Sequence, residues 1–462
     1  ILPNLEYTKE FYNDLVYIDS LMNKNRDIKQ FINGKTLVIS AHSMGRSDID
    51  FLFTTGSHEN KKNAESLRNI LSNLNPEAII SDISFAGAEL VKYESPGANV
   101  FFYSFFEDYF LLSTSEILLQ KSVKNINSGA SLFDDRNFTS LFKQNKKNVD
   151  ARIYVNYEHL FNNTDKYFSS NFEQELSILK NFADWTLLDI SLKRKEIKMT
   201  GHTTIKPEMQ YLSIFKNVSP DKIDVFSILP EKSSTIIQFN IGSGEDFRYL
   251  FEDFLSNVNR LNDHQIRSAE FHNTYEIDID LNSLYNFTED EIALIFEDVN
   301  KTGKAHNKYI LIELNDVPKT KNFFSRIIKK HAELNSLNEN SFTDIYIIDE
   351  EFSVNKSPVK NLPELYFGSV FSKFNAEYYT FIKDFLVFAE TLDELKYFIE
   401  SYTQDKTFKR KSNSYDFIKS LPGQSNIFFH TDIYQSLNVY ENILSEKTGK
   451  RLSEDRESYK SL

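Results

Sequence analysis

Residues 109–113 (YFLLS) and the adjoining residues 115–119 (SEILL) decide how this chain is organised. A similar pair occurs much later, where residues 385–389 (FLVFA) precede residues 391–395 (TLDEL). In both places an apolar run with the length of a buried strand is followed by Ser or Thr, which are preferred at helix N-caps. The two stretches therefore predict two copies of one strand–helix unit, with Ser115 and Thr391 as the caps.

The similarity continues on both sides of this pair. The spacing from Tyr109 to Phe385, called the repeat offset below, also relates residues 131–132 to residues 407–408, and residues 153–155 (IYV) resemble residues 427–429 (IFF) at nearly the same spacing. Upstream, a strand over 51–55 and a helix over 61–75 resemble a strand over 310–314 and a helix over 319–335. Because the spacing stays nearly constant from residue 109 to residue 155, through several elements, it predicts an internal duplication.

Each of the two upstream helices carries one apolar stripe. The stripes follow the i, i+3, i+4 spacing that is typical of an amphipathic helix. They consist of Leu67, Ile70 and Leu71 in the first helix and of Phe324, Ile327 and Ile328 in the second. We expect both stripes to be buried against a sheet, and Leu119 and Leu395 to be equivalent core residues.

A cluster of prolines at Pro207, Pro220 and Pro230 marks the boundary between the copies. The prediction is an α+β fold with two tandem copies, residues 1–206 and 207–462, each a largely antiparallel sheet with amphipathic helices packed on one face. A hairpin over residues 185–205 closes only the first copy. The opening segment of the second copy, a strand over 234–239 and a helix over 246–258, has no clear partner in the first. We therefore expect the first copy to be incomplete at its N-terminus and the second at its C-terminus.

Composition excludes several classes of protein. The 462 residues include 53 Lys and Arg against 67 Asp and Glu, a net charge of −14, which disfavours binding to nucleic acid. With 13 Gly and 10 Pro, the chain is poor in the turns of phosphate-binding loops. The lack of Cys excludes disulfides, Cys-ligated zinc and thiol catalysis. No apolar run is long enough for a membrane span, so we expect none in this chain.

One string resembles a catalytic motif. Residues 41–45 (AHSMG) are similar to the Gly-x-Ser-x-Gly nucleophile elbow of α/β-hydrolases, with Ala41 in place of the first Gly. That chemistry requires Ser43 on a sharp turn between a strand and a helix. Because residues 46–53 have the pattern of a second strand, the sequence predicts a hairpin turn here, and Ser43 is a weak candidate nucleophile.

A second string resembles a calcium loop. Asp278, Asp280, Asn282 and Glu289 fit positions 1, 3, 5 and 12 of an EF-hand. Ser283 replaces the Gly of the sharp turn, and residues 274–277 have a strand-like pattern. The alternative interpretation is a strand with solvated acids, followed by a helix over 289–299 with Thr288 as its N-cap. We expect no cofactor, with calcium at these four residues as a weak candidate.

Two segments carry a resemblance to a known family. Residues 228–237 (ILPEKSSTII) and 385–395 (FLVFAETLDEL) resemble an exported family of Bacteroidota proteins described only as a domain of unknown function. The first copy departs from the pattern, since Ser113 stands at the Ala389 position and the Leu-Pro start is missing. The resemblance implies a duplicated α+β protein of the cell envelope, often with a lipid anchor upstream, and supplies no catalytic residues.

These observations favour a non-enzymatic binding or scaffold module of the bacterial envelope, in the periplasm or associated with the outer membrane. We expect its partner to be a protein or an envelope component, and its export signal to lie outside this sequence. The alternative is a hydrolase that uses Ser43 or an acidic, calcium-dependent site near Asp278. A helix beginning at Met44 would favour the hydrolase, whereas a β-turn would favour the scaffold.

Overall fold

The computed structural model describes residues 34–44, 48–58, 60–96, 100–144, 149–160, 167–170, 179–193, 196–206, 209–297, 307–348, 350–454 and 456. The chain divides into two compact units. The first comprises Ile1–Lys166 and Trp185–His202, and the second comprises Tyr167–Asp184 and Thr203–Leu462. Both combine helices with antiparallel sheets, which confirms the predicted α+β class.

The first unit is built on a six-stranded antiparallel sheet with the order β1-β2-β6-β5-β4-β3. Its strands are β1 (Val38–Met44), β2 (Asp48–Gly56), β3 (Ile79–Phe85), β4 (Ala88–Glu94), β5 (Phe101–Phe106) and β6 (Tyr109–Ser113). Its helices are α1 (Asn60–Leu74), α2 (Glu116–Ser128), α3 (Arg136–Phe142) and α4 (Tyr157–Leu160). The helix α2 packs Leu119 and Val123 onto this sheet beside Leu111.

A separate three-stranded sheet completes the first unit. It consists of β7 (Ala151–Asn156), β8 (Trp185–Lys193) and β9 (Glu196–Thr204), in that order. The hairpin predicted over residues 185–205 is thus confirmed. Trp185 packs on Phe138 of α3, and its indole N–H donates to Asp135 Oδ2 at 3.0 Å.

The second unit is built on an eight-stranded antiparallel sheet with the order β14-β15-β16-β17-β13-β12-β11-β19. Its strands are β10 (Asp221–Lys222), β11 (Ser233–Asn240), β12 (Thr288–Glu297), β13 (Asn307–Leu314), β14 (Thr343–Ile347), β15 (Glu351–Lys356), β16 (Tyr378–Ile382), β17 (Phe385–Ala389), β18 (Gln424–Ser425) and β19 (Ile427–Thr431). The short strands β10 and β18 pair with each other.

The described residues of the second unit also form ten α-helices. They are α5 (Gly244–Asn257), α6 (Leu261–Tyr275), α7 (Leu284–Phe287), α8 (Val317–Asn335), α9 (Leu362–Phe367), α10 (Leu392–Thr403), α11 (Phe408–Lys411), α12 (Asn413–Ile418), α13 (Leu437–Ile443) and α14 (Glu446–Glu454). The helix α8 follows β13 as α1 follows β2, and α10 follows β17 as α2 follows β6.

Six strands have the same order in the two sheets: β1-β2-β6-β5-β4-β3 corresponds to β12-β13-β17-β16-β15-β14, and the second sheet adds β11 and β19. Strands β5 and β6 pair Phe102 with Ser113, and β16 and β17 pair Tyr378 with Ala389, so both members of the pair obey the repeat offset. The turns also agree, since Glu107 has φ 49° and Lys383 has φ 51°. The same buried hydroxyl bond occurs twice, from Ser104 to the Glu89 carbonyl and from Thr380 to the Ser353 carbonyl.

The helices of the second unit cover both faces of its sheet, which corrects the prediction of helices on one face. Phe388 lies in a core with Phe324 and Ile327 of α8. Its neighbour Val387 lies in a second core with Leu395 of α10. All five residues of β17 are buried and apolar. Because successive side chains of a strand point to opposite faces, such a strand requires cover on both.

The predicted core residues are confirmed where they are most apolar. Leu119 and Leu395 each have 0% of their surface exposed, and Phe324, Ile327 and Ile328 are buried. The stripe on α1 is only half-buried. The match between residues 153–155 and 427–429 fails at the level of pairing, because β7 pairs with β8 in a separate sheet, whereas β19 pairs with β11.

Two predicted elements around residue 280 are wrong. Residues 274–277 form the end of α6 and the turn after it rather than a strand, and residues 289–297 belong to β12 rather than to a helix. The run 292–296 (IALIF) is almost entirely buried between β11 and β13. Tertiary burial on both faces therefore outweighed the N-capping pattern at Thr288.

Within the parts of the chain that the structure describes, no helix combines the length and apolarity required to cross a bilayer.

Candidate functional site

Ser43 lies on a strand rather than on a nucleophile elbow. It pairs with Ile49 across the β1–β2 ladder, and the next pair is Met44 with Asp48. No helix begins at Met44, so the strand-to-helix turn that would expose the hydroxyl is not formed there. His42 is adjacent on the strand and therefore points to the opposite face, where its Nε2 lies 2.7 Å from Ser40 Oγ.

The calcium candidates are divided between a loop and a strand. Asp278, Asp280 and Asn282 lie between α6 and α7, whereas Glu289 is on β12. Asp278 Oδ1 accepts the backbone N–H of Asp280 at 2.9 Å, and Asp280 Oδ1 accepts from the Arg248 guanidinium at 2.8 Å. The described segments contain no group of three or more His, Asp or Glu side chains arranged to hold a metal ion.

A cleft of about 760 Å³ lies in the second unit. It opens where the β16–β17 turn, the end of α10 and the short helices α11 and α12 meet. Its charged and aromatic walls are formed by Lys383, Tyr402, Asp405, Lys409, Arg410, Tyr415 and Lys419. Ser227, Glu350, Thr403 and Thr407 complete the lining. The volume is in the range of small-molecule pockets.

The local sequence explains why the backbone makes a concave surface here. The helix α10 ends at Thr403, and Asp405 adopts φ 58°, which turns the chain away from the helix axis. The Lys406 N–H then donates to the Ser401 carbonyl at 2.9 Å. Thr407 bridges antiparallel to Pro230, which fixes the start of α11. The side chains that follow this reversal line the cleft.

The cleft is positively charged in an acidic protein. Four of its lining residues are cationic and two are carboxylates, against a net charge of −14 for the chain. Arg410 pairs with Asp405. The Lys383 ammonium lies 5.6 Å from the ring centre of Tyr402, and the Lys419 ammonium lies 4.9 Å from that of Tyr415. Aromatic faces attract such cations without cancelling their charge.

The equivalent place in the first unit has a different chemistry. The repeat offset places Glu107 at the Lys383 position, Ile126 at the Tyr402 position and Phe133 at the Lys409 position. The turn is the same in both units, with a left-handed residue at Glu107 and at Lys383. Since one fold accommodates both sets, the fold itself does not require cations in the cleft.

Three buried or partly buried carboxylates form the other electrostatic feature of the second unit. Burial raises the pKa of Glu291 to about 8, although the Asp224 and Val225 N–H groups donate to its Oε2. Burial raises the pKa of Glu297 to about 7, where Tyr309 and Asn307 donate to it. Burial and the adjacent Asp290 raise the pKa of Glu313 to about 9. These groups hold their protons to a higher pH than exposed carboxylates do.

Sequence reasoning missed the cleft, although one signal for it was available. Residues 406–411 (KTFKRK) contain four cations in six positions within an acidic chain. A run of this kind indicates an interaction surface or a solvated face, and the sequence alone does not separate the two. Lys383 and Tyr402 are distant in sequence and join the run only through the sheet.

No model of a protein family matches the chain, and neither does any curated protein or solved structure.

Proposed function

We propose that this chain is a non-enzymatic binding module of the bacterial cell envelope, and that the cationic cleft of its second unit is the binding site. The observation that supports this proposal is the difference between the side chains that line the cleft and those at the equivalent positions of the first unit. The order of six strands and the turn conformation agree, while three of the four cations in the cleft have no cationic counterpart in the first unit. Lys383, Lys409 and Arg410 correspond to Glu107, Phe133 and Asp134, whereas Lys419 corresponds to Lys143. A function located at the cleft accounts for cations that the fold does not require.

The envelope assignment rests on the resemblance of residues 228–237 and 385–395 to the exported Bacteroidota family. In this structure each of the two segments lies beside the cleft. Pro230 bridges to Thr407, which lines it, and Phe385 follows directly after the β16–β17 turn that carries Lys383. The segments that carry the resemblance thus lie next to residues that line the proposed site.

Photo-crosslinking in the cells that produce the protein tests this proposal. Tyr415 is replaced by the photoreactive residue p-benzoylphenylalanine, which keeps an aromatic ring in the cleft wall. We expect a discrete adduct that sediments with the envelope fraction. The matched control places the same residue at Lys329, an exposed position on α8 outside the cleft.

Two further results decide between the alternatives. Lys383→Glu, which installs the residue of the first unit, should abolish the adduct at position 415. An adduct of equal yield at position 329, or none at either position, would contradict the proposal. Ester hydrolysis by the purified chain that disappears in Ser43→Ala would establish the hydrolase instead.

A further inference from the structure

The cations of the cleft retain their charge for a ligand. Among the described residues, Lys383 and Lys409 have no ion pair with a carboxylate. Lys383 instead lies against the face of Tyr402, where the ring restricts its side chain without neutralising it. Arg410 and Lys419 are each held by one carboxylate, Asp405 and Asp416. Two of the four cations in the cleft, Lys383 and Lys409, are therefore left without a paired carboxylate in the part of the chain that the structure describes.

The remaining lining supplies neutral hydrogen-bond donors. Ser227 and Thr407, which carry hydroxyl groups, are among the lining residues. Hydroxyl and ammonium donors together suit oxygen-rich anions, because each oxygen can accept several hydrogen bonds. A single carboxylate carries one negative charge, whereas a phosphate carries between one and two at neutral pH and has three accepting oxygens. Several converging cations therefore match phosphate better than carboxylate.

The size of the cleft indicates that the ligand is larger than one ion. About 760 Å³ greatly exceeds the volume of an isolated phosphate and is similar to that of pockets for drug-sized molecules. The lining also includes the aromatic rings of Tyr402 and Tyr415.

We propose that the cleft lined by Lys383, Lys409, Arg410 and Lys419 binds a phosphate-bearing ligand. This inference rests on the proposed function, since it names the ligand class of the same site. The phosphate belongs either to a soluble molecule or to the head group of an anionic lipid, and the experiment separates the two.

The experiment is a titration of the full chain with two probes. One probe is tripolyphosphate, followed by calorimetry, and the other is a phosphatidic acid vesicle in a phosphatidylcholine background, followed by co-sedimentation. We expect saturable binding of at least one probe that weakens as salt is added, because surface charges are screened. Binding of tripolyphosphate alone identifies a soluble ligand, and binding of the vesicle alone identifies a lipid head group.

Variants locate the binding. The double variant Lys383→Glu and Lys409→Glu should lower the affinity at least about tenfold, as expected when charge-assisted hydrogen bonds are lost. Lys329→Glu makes a charge change of the same kind outside the cleft and should alter affinity by less than about twofold. Circular dichroism melting verifies that each variant is folded, which is expected because these side chains are exposed.

Three outcomes would overturn the inference. They are failure of both probes to bind, an equal loss of affinity in Lys329→Glu, and binding that is insensitive to the double variant. The photo-crosslinking result then shows whether only the ligand class is wrong or the binding module as well. An adduct at position 415 that is lost in Lys383→Glu, without binding of either phosphate probe, means that the ligand class is wrong and the binding module stands. If neither phosphate binding nor the adduct at position 415 is observed, the proposed binding module is contradicted as well.

Discussion

At the residue scale, the second unit has buried carboxylates where a core would normally be apolar. Glu291 has 1% of its surface exposed and accepts hydrogen bonds from the N–H of Val225, which begins the 3₁₀ turn Val225–Ser227, and from the N–H of its cap Asp224. Glu297 is fully buried beside Tyr309. Burial in a medium of low polarity penalises the charged form, and both groups therefore retain protons to a higher pH than in water.

This arrangement predicts that the protein loses stability as pH rises. The pKa of Glu291 is about 8 and that of Glu297 about 7 in the folded chain, above the ordinary value of 4.5. Their contribution is fully present below pH 4.5 and is lost as pH rises through these folded values. Burial lowers the pKa of His264, His272 and His430, which opposes this loss below their ordinary value of 6.5. We therefore expect the free energy of unfolding, from denaturant titrations, to decrease between about pH 6.5 and pH 8 by up to about 1.4 kcal/mol per pH unit for each carboxylate that still titrates in that range.

Single substitutions test the assignment to these groups. Glu291→Gln keeps a carbonyl oxygen to accept from Asp224 and Val225 but cannot ionise, so the dependence on pH should become shallower. The matched control is Glu289→Gln, two positions earlier on the same strand and exposed. A dependence in Glu291→Gln as steep as that of the unchanged chain would show that another group is responsible.

At the element scale, the two capped helices α2 and α10 share one design. Ser115 Oγ accepts from the Leu118 N–H, and Thr391 Oγ1 accepts from the Glu394 N–H. Only α10 completes the capping box, since Glu394 Oε2 accepts from the Thr391 N–H at 2.9 Å. One turn into each helix, Leu119 and Leu395 enter their respective cores.

The shared design predicts similar costs for the same change in both units. Leu119→Ala and Leu395→Ala should each lower the free energy of unfolding by about 2–5 kcal/mol, because both leave a cavity in a packed core. Thr391→Ala should cost about 1 kcal/mol through loss of the cap. Denaturant titrations measure all three.

The control for these core variants is Ile117→Ala. Ile117 is on the same helix as Leu119, but 59% of its surface is exposed. It should change stability by less than about 0.5 kcal/mol. A loss at Leu395 as small as that at Ile117 would contradict the equivalence of the two core positions.

At the scale of the whole molecule, the two sheets differ in how completely their strands are covered. In the second unit, β13 and β17 lie in the middle of eight strands with cores on both faces. In the first unit, β1 is the edge of the described sheet, and Val38 and Ile39 each expose more than half of their surface. Stability against local opening should follow this difference.

Hydrogen exchange measured by mass spectrometry tests this expectation. Amides of β13 and β17 should exchange slowest, because they open only when the second unit unfolds as a whole. Amides of β1 should exchange orders of magnitude faster, since an edge strand can separate from its single neighbour while the rest of the sheet stays folded. Comparable protection in β1 and β17 would mean that β1 is covered as completely as the central strands.

Local pattern alone determined several features of this protein. The apolar run over residues 385–389 and the Thr391 cap predicted β17 and α10, and the repeat offset predicted equivalent core positions at Leu119 and Leu395. These features are accessible because strand length, capping and helix periodicity depend on neighbouring residues. The same reasoning failed at residues 289–297, where a strong capping pattern was outweighed by the burial of β12 between two strands.

Only the tertiary structure decided the two-sided cover of the second sheet and the position of the candidate site. Residues 406–411 indicated a basic run, but a run becomes a cleft only when Lys383, Tyr402 and Tyr415 are brought beside it by strand pairing and by the reversal at Asp405. The pKa of Glu291 likewise depends on what surrounds it in space. Burial and charge are set by contacts between residues far apart in the chain, and a local pattern does not contain them.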